Sequence, residues 1–352
     1  MNKKNIYIGW DIGGAHTKYT TSKEKSFSFN SKIIPLKIWN NLDHLEKIIN
    51  DVHNKYLKSY NIINAISMSA EMCDIFDNRK VGVRKILSLF DKKLFKNYIY
   101  SSKYGIIENS KKLNHQTVAS MNWHIIANYL RSIRKNLIAI DLGSTTTDII
   151  LIRNHKCINK RVDDLSGLIS SELLYTGILR TPIFSIIKRI RISNKYYHLI
   201  PEYYATMADV YRLLDIITLK EDYSDTADGR SKSKSDSLAR VSRSLGFDYK
   251  PKYKKLIISI CEKIMSEHLD QISYNIKDHV NKNYKHIKSL ELVGMGVGKS
   301  IIKKICMRNK WFYKDIGNLI DIRYISNLEN VSTTMPSFLL SLLVKGINEK
   351  TK

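Results

Sequence analysis

The sequence predicts an α/β protein built twice, with two similar subdomains flanking a phosphate-binding cleft. Two observations carry this. The apolar run Asn5-Ile6-Tyr7-Ile8-Gly9-Trp10 ends in the turn Asp11-Ile12-Gly13-Gly14-Ala15-His16-Thr17-Lys18, and Leu137-Ile138-Ala139-Ile140 ends in Asp141-Leu142-Gly143-Ser144-Thr145-Thr146-Thr147-Asp148. In each, a short strand bends at glycine and re-enters as a second strand, Thr17 to Ser22 and Thr147 to Arg153. The two aspartates stand 130 residues apart, a spacing that suits a duplicated unit although no simple repeat aligns. One such turn is weak evidence. Two suggest that both face one cleft and grip the same phosphate chain through backbone N–H groups and hydroxyls.

The elements follow in order. Leu42 to Tyr60 repeats apolar residues at helical spacing, and Ile62 to Met68 reads as a buried strand. Val83 to Phe95 is expected as a helix, Tyr98 to Ser101 as a short strand, and Ala119 to Ile133 as a helix. The pattern then restarts. Leu137 to Asp141, Asp148 to Arg153 and Lys156 to Val162 form a strand meander, followed by a helix over Leu165 to Leu174. Ala205 to Ile217 reads as a helix, Glu221 to Asp236 as a polar, mobile loop, and Ile257 to Val280 as a long amphipathic helix. Leu290 to Val293 is a strand that enters Gly294-Met295-Gly296-Val297-Gly298, and Lys299 to Met307 is the helix after it. Pro336 to Val344 is a last apolar helix with proline near its first turn. The predicted division is residues 1–135 for the first subdomain and 136–352 for the second, with a helical insertion around 200–285.

Composition narrows the class. A chain of 352 residues with 43% hydrophobic content can bury substantial cores. The net charge of +25 raises nucleic-acid binding, but lysine is spread along the whole chain and not gathered in a stripe. The excess is shared by isoleucine, asparagine and tyrosine, the joint mark of an A+T-rich genome. Neither nucleic acid nor membrane is expected as a partner, and the sequence does not report oligomeric state. Cys73, Cys157, Cys261 and Cys306 form no CxxC pair, so a cysteine-built zinc site is not expected and the thiols read as reduced. The basic start is followed by an apolar run too short, and broken by Asp11, to be a signal peptide. With no stretch of membrane-spanning length, a cytoplasmic protein is expected.

Asp11 and Asp141 can hold a hydrated divalent cation, Mg²⁺ by expectation, that bridges phosphate oxygens, or can act as bases. The ordinary alternative is an aspartate that starts a turn. Gly13, Gly14 and Gly143 allow close backbone approach, while Thr17, Ser144, Thr145 and Thr146 offer hydroxyls and Lys18 a charge to phosphate oxygens. Gly294 to Ser300 looks like a P-loop but has Val293 where the motif needs glycine. Gly294 and Gly296 still make a surface on which a flat substrate group can lie, or simply a tight turn. Glu71 and Asp74 follow a strand end, where ligands of open α/β sheets collect, and suit an ammonium group. Arg230, within Asp225-Thr226-Ala227-Asp228-Gly229-Arg230, can clamp a phosphate or belong to a solvated loop.

Together these segments resemble the actin/sugar kinase/heat-shock-70 ATPase superfamily. More narrowly, the chain resembles a small family related to the N-terminal part of hydantoinase A/5-oxoprolinase, usually labelled tetrahydromethanopterin-linked one-carbon-transfer pathway proteins. The narrower likeness is carried by Glu71-Met72-Cys73-Asp74, Ala119-Ser120-Met121-Asn122-Trp123, Tyr175-Thr176-Gly177-Ile178-Leu179-Arg180-Thr181-Pro182, Ala205 to Arg212 and Asp225 to Arg230, beside the two turns. The resemblance implies a duplicated actin-like, ribonuclease H-like ATPase fold. It also implies a transferase of methanofuran biosynthesis. Such an enzyme joins (5-aminomethyl-furan-3-yl)methyl diphosphate to the phenol oxygen of γ-glutamyl-tyramine and releases pyrophosphate. On this reading the partners are small-molecule diphosphate and phenolic amine substrates, and ATP is not required. Asp11, Asp141 and Asp148 are the catalytic candidates, with Asp148 or Asp11 as the base for the phenol. The alternatives are an ATP-dependent kinase or ligase, a hydantoinase/oxoprolinase-like hydrolase, and a non-catalytic nucleotide-gated partner of one-carbon enzymes.

Overall fold

The computed structural model describes residues 3–91, 95–109, 114–287, 290–324 and 331–350. In chain order the strands are β1 Lys4–Ile12, β2 His16–Lys23, β3 Phe29–Pro35, β4 Tyr60–Met68, β5 Lys96–Ser101, β6 Gly105–Glu108, β7 Leu137–Leu142, β8 Thr147–Arg153, β9 Lys156–Cys157, β10 Leu173–Leu174, β11 Arg189–Ile192, β12 Lys195–His198, β13 Glu291–Met295 and β14 Tyr313–Asp315. The helices are α1 Asp43–Leu57, α2 Arg79–Ser88, α3 Asn122–Ile133, α4 Asp164–Ile169, α5 Ile183–Ile186, α6 Met207–Leu213, α7 Lys234–Ser244, α8 Lys254–Asn283, α9 Lys299–Arg308 and α10 Met335–Lys350. The chain divides into two compact units. One comprises Met1–Asn136, Ile150–Gly167 and Asp315–Lys352, the other Leu137–Ile149 and Leu168–Lys314.

The first unit is a six-stranded sheet in the order β3-β2-β1-β4-β5-β6. Strands β1, β2 and β3 are antiparallel neighbours, whereas β4 and β5 continue parallel to β1. The register sets Asp11 opposite Lys18 on β2 and Ile12 beside Met68 on β4. Strand β1 is apolar on both faces because both are covered. Leu45, Ile48, Ile49 and Val52 of α1 and Val83, Ile86 and Leu87 of α2 share a core with Ile6, Ile8 and Trp10. Helix α10 packs on β1 at Gly9, where a Cβ would stand 2.0 Å from the Ser337 carbonyl oxygen. Buried Trp10 donates its indole N–H to Asn64 Oδ1 at 2.9 Å, so its one polar atom is satisfied.

The second unit repeats the plan. Its sheet runs β10-β8-β7-β13-β14, with β9 paired to β8. Strand β13 is parallel to β7 with Met295 beside Asp141, and β10 is antiparallel to β8 with Leu173 opposite Asp148. The order β2-β1-β4 of the first sheet thus recurs as β8-β7-β13 in the second. Around it stand α6, α7 and the 30-residue α8, which buries Ile257, Ile260, Ile264, Ile272 and Ile276 along one face. Thr206 and Asp209 close a capping box at the start of α6.

Several local expectations change. The helix expected over Leu165 to Leu174 is α4 only to Ile169. Ser171, at φ +56, breaks it, and Leu173–Leu174 pairs with β8 instead. The strand expected over Lys156 to Val162 is only Lys156–Cys157, because Arg161 turns in to Asp164 at 2.9 Å. The β11–β12 hairpin was not expected. Nor was α7, whose Ser233 cap and apolar pair Leu238 and Val241 lie hidden in a polar stretch. Helix α2 spans Arg79–Ser88 where a helix over Val83 to Phe95 is expected, and residues 92–94 lie outside the described ones.

Candidate functional site

Both glycine turns close in the same way. Gly13 N–H donates to the His16 carbonyl at 3.0 Å, and Gly143 N–H donates to the Thr146 carbonyl at 2.9 Å. These amides are therefore spent on the turns themselves. The next two amides in each turn, Gly14 and Ala15 or Ser144 and Thr145, donate to no backbone carbonyl among the described residues, and all four residues are partly exposed. Two adjacent N–H groups of a turn that donate to no carbonyl can accept an anion. The duplication in sequence is thus a duplication of hydrogen-bond geometry.

In the first unit Asp11 is buried, 3% exposed, and Lys18 Nζ lies 3.6 Å from its Oδ2. Across the hairpin, then, Lys18 faces Asp11. Thr17 is wholly buried and its hydroxyl has no hydrogen-bond partner among the described residues. In the second unit Asp141, Thr146 and Asp148 are half-buried, and the Ser144 and Thr145 hydroxyls stand 3.4 Å apart. The segment Thr176 to Thr181 is clamped behind this turn. Ile178 N–H donates to the Gly143 carbonyl at 3.0 Å, and the Leu179 and Arg180 amides donate to the Ser144 carbonyl at 3.1 and 2.8 Å.

The loop after β4 and the loop after β13 each return to the turn of their own unit. Ser69 N–H donates to the Ile12 carbonyl at 2.9 Å, and Gly298 N–H donates to the Leu142 carbonyl at 2.8 Å. Ile12 and Leu142 are the residues after Asp11 and Asp141. The glycines of the second loop make room: a Cβ on Gly296 (φ +80) would lie 2.3 Å from Asp141 Oδ1, and one on Gly294 2.7 Å from the Tyr313 ring. Both are buried, so they pack against the turn and the last strand without opening to solvent.

In the first unit the corresponding loop holds Glu71, Cys73 and Asp74. Glu71 is wholly buried and accepts a hydrogen bond from Ser120 Oγ at 2.6 Å, while its second oxygen has no partner among the described residues. Burial raises its pKa and the Asp164 carboxylate adds to this, against the opposing Ser120 hydrogen bond. Asp74 is exposed. The Glu71 side chain is thus part of the core behind the loop, while Asp74 faces solvent.

A buried cluster of two arginines and three aspartates is not evident from the sequence. Arg240, 0% exposed, donates to Asp209 at 2.8 Å and Asp228 at 2.9 Å. Arg212, also buried, pairs with Asp209 at 2.9 Å and Asp222 at 2.8 Å. The polar stretch expected to be mobile is therefore pinned at Asp222 and Asp228 by two buried guanidiniums. Arg230 is exposed, and its backbone amide donates to Asp228 Oδ1 at 3.1 Å. The signal available in sequence was the spacing of Asp209 and Arg212 on one helix face, followed by an arginine amid serines. Among the described residues no three His, Cys, Asp or Glu side chains gather as a metal cage, and no helix is long and apolar enough to cross a membrane.

A sheet built twice, antiparallel on one side of its founding strand and parallel on the other, with a glycine turn after that strand each time, defines the duplicated actin-like, ribonuclease H-like ATPase fold. The nucleotide-free structure of acetone carboxylase, an enzyme of ATP-dependent acetone carboxylation, shares it with a TM-score of 0.53 at 10% identity, over 88% of this chain and 68% of that one. The chain belongs to the hydantoinase/oxoprolinase family, whose model matches residues 63–310. It is 31% identical over 351 residues to the (4-{4-[2-(gamma-L-glutamylamino)ethyl]phenoxymethyl}furan-2-yl)methanamine synthase of Methanocaldococcus jannaschii, covering 97% of this chain and 98% of that protein. The synthase of the same name from Methanococcus vannielii is 34% identical over 219 residues, 61% of this chain and 94% of its own length.

Proposed function

We propose that this protein is a transferase that forms the furan–phenol ether of a methanofuran-type carrier. It condenses (5-aminomethyl-furan-3-yl)methyl diphosphate with γ-glutamyl-tyramine. The observation that carries the reading is 31% identity, over nearly the whole of both chains, to a synthase whose name describes that ether. In the reaction the phenol oxygen bonds to the furanylmethyl carbon, the carbon–oxygen bond to diphosphate breaks, and the phenol proton passes to a base. A phenol has a pKa of about 10, so a base helps the attack.

The chemistry of the turns supports this. A departing diphosphate gathers negative charge, and open backbone amides fixed before the reaction stabilise it without rearrangement. Either turn by itself offers such amides, Ser144 and Thr145 in the one or Gly14 and Ala15 in the other. Mg²⁺ at Asp11 or Asp141 would keep most of its waters and take phosphate oxygens, as this ion does when one or two carboxylates hold it. When bound it supplies charge neutralisation. The base is a carboxylate, Asp148 or Asp11, and Asp74, exposed where Glu71 is buried, is the candidate for the substrate's ammonium group.

The test is an incubation of the protein with Mg²⁺, the furan diphosphate and γ-glutamyl-tyramine, with and without ATP, read by mass spectrometry and a pyrophosphate assay. Ether and pyrophosphate without ATP are expected. ADP formed with ATP, and no ether in its absence, would sink the proposal and favour a kinase or ligase.

A further inference from the structure

Resting on the diphosphate reading above, we propose that Arg180 is the side chain that grips the leaving diphosphate at the second turn, and that Thr176 and Gly177 are the brace that sets it there. Arg180 Nη1 donates to Thr145 Oγ1 at 3.4 Å, which brings a guanidinium beside the hydroxyl and open amides of the turn. Its own backbone amide is bonded to the Ser144 carbonyl at 2.8 Å, so the base of the side chain is locked to the turn it serves. A guanidinium fork matches phosphate oxygens in a bidentate way, and here it stands next to N–H donors of the same polarity.

The brace explains why position 177 is glycine. A Cβ there would stand 2.5 Å from both the Ser144 carbonyl carbon and the Thr145 nitrogen. Thr176 secures the same segment on its other side. Its carbonyl accepts from Thr147 Oγ1 at 2.7 Å, and its hydroxyl meets His268 Nε2 at 2.8 Å. Buried His268 in turn meets the Tyr211 hydroxyl through Nδ1 at 2.7 Å. The turn, the arginine and the long helix α8 are therefore linked by short contacts inside one unit. Burial raises the pKa of the Tyr203 phenol, and the Arg180 charge opposes that rise.

The experiment measures pyrophosphate binding by calorimetry and steady-state kinetics on the intact protein. Arg180→Gln is expected to weaken pyrophosphate binding and raise KM for the furan diphosphate by roughly 10- to 100-fold, the range of a hydrogen bond to a charged group. It also lowers kcat, while KM for γ-glutamyl-tyramine stays put. Arg180→Lys should recover part of the loss, because the charge returns without the fork. Arg191→Gln, on the exposed β11–β12 hairpin, should change nothing. Should Arg180→Gln fail to fold, Arg180→Lys is read alone, and wild-type pyrophosphate affinity in it overturns the proposal. So does wild-type affinity in folded Arg180→Gln, or a wild-type protein that binds no pyrophosphate. A wild-type protein that binds pyrophosphate through Arg180 yet makes no ether overturns the proposed reaction and leaves the arginine's role standing.

Discussion

Asp141 occupies the volume that a side chain at position 296 would fill: a Cβ on Gly296 would stand 2.3 Å from its Oδ1 and 2.5 Å from the Leu142 carbonyl oxygen. The carboxylate one residue before the end of β7 is therefore placed by an absent side chain on the neighbouring loop. Gly296 also has φ +80, where an L side chain is strained.

Gly296→Ala is expected to push Asp141 off its position and to strain the loop at once. A displacement of about 1 Å at a reacting group costs about 100-fold in turnover. Steady-state kinetics should show a fall in kcat of that order, with a lowered melting temperature. An alanine variant with wild-type turnover would show that Asp141 needs no such placement.

The buried arginines give a stability prediction. Arg240 neutralises Asp209 and Asp228, and Arg212 neutralises Asp209 and Asp222. Arg240→Met leaves buried Asp209 leaning on Arg212 alone, where water does not replace the lost charge, and leaves Asp228 only its longer pairing with Arg243 at 3.8 Å. Removing one partner of a buried ion pair costs roughly 3–5 kcal/mol. Urea denaturation should show a loss of that size, and limited proteolysis should begin within 222–233. Unchanged stability would mean that the cluster is already neutralised by groups outside it.

The two hairpins were legible because a strand that ends in Asp and bends at Gly leaves its pattern in a few adjacent residues. The long α8 was legible because its isoleucines recur at helical spacing. Less was visible where structure depends on distant partners. Strand β10 is two residues long and exists only because β8 lies beside it. Helix α7 is polar outside Leu238, Ala239 and Val241, because Arg240 faces carboxylates on other segments and not an apolar core. Glu71 shows the same limit. A carboxylate after a strand end reads as a ligand, whereas its burial against Ser120 comes from the chain folding over it.

That burial makes Glu71 a pH-dependent element. Its pKa is raised above the ordinary 4.5 in the folded chain, so the folded state holds a proton that the unfolded state has released. Its contribution is complete below the unfolded value and is lost as pH rises through the folded one. Glu71→Gln removes the titration while keeping an oxygen for Ser120. Melting temperatures measured from pH 5 to pH 8 should fall more for the wild type than for the variant. Parallel profiles would mean that Glu71 is ionised in the folded protein throughout.

His268 predicts the opposite slope. Burial lowers its pKa from 6.5 to about 4, so the ring is neutral between Tyr211 and Thr176. In the window between those values the unfolded chain takes up a proton that the folded one excludes. The stability it contributes is therefore complete above about pH 6.5 and is lost as pH falls toward about 4. His268→Gln can still bond Thr176 but cannot gain charge, so its melting temperature should fall less steeply with acid than that of the wild type. Because Thr176 sits in the brace behind Ser144 and Thr145, the same variant should raise KM for the diphosphate more than KM for the phenolic amine. A variant that only lowered stability, with both KM values unchanged, would confine His268 to the core and break its link to the turn.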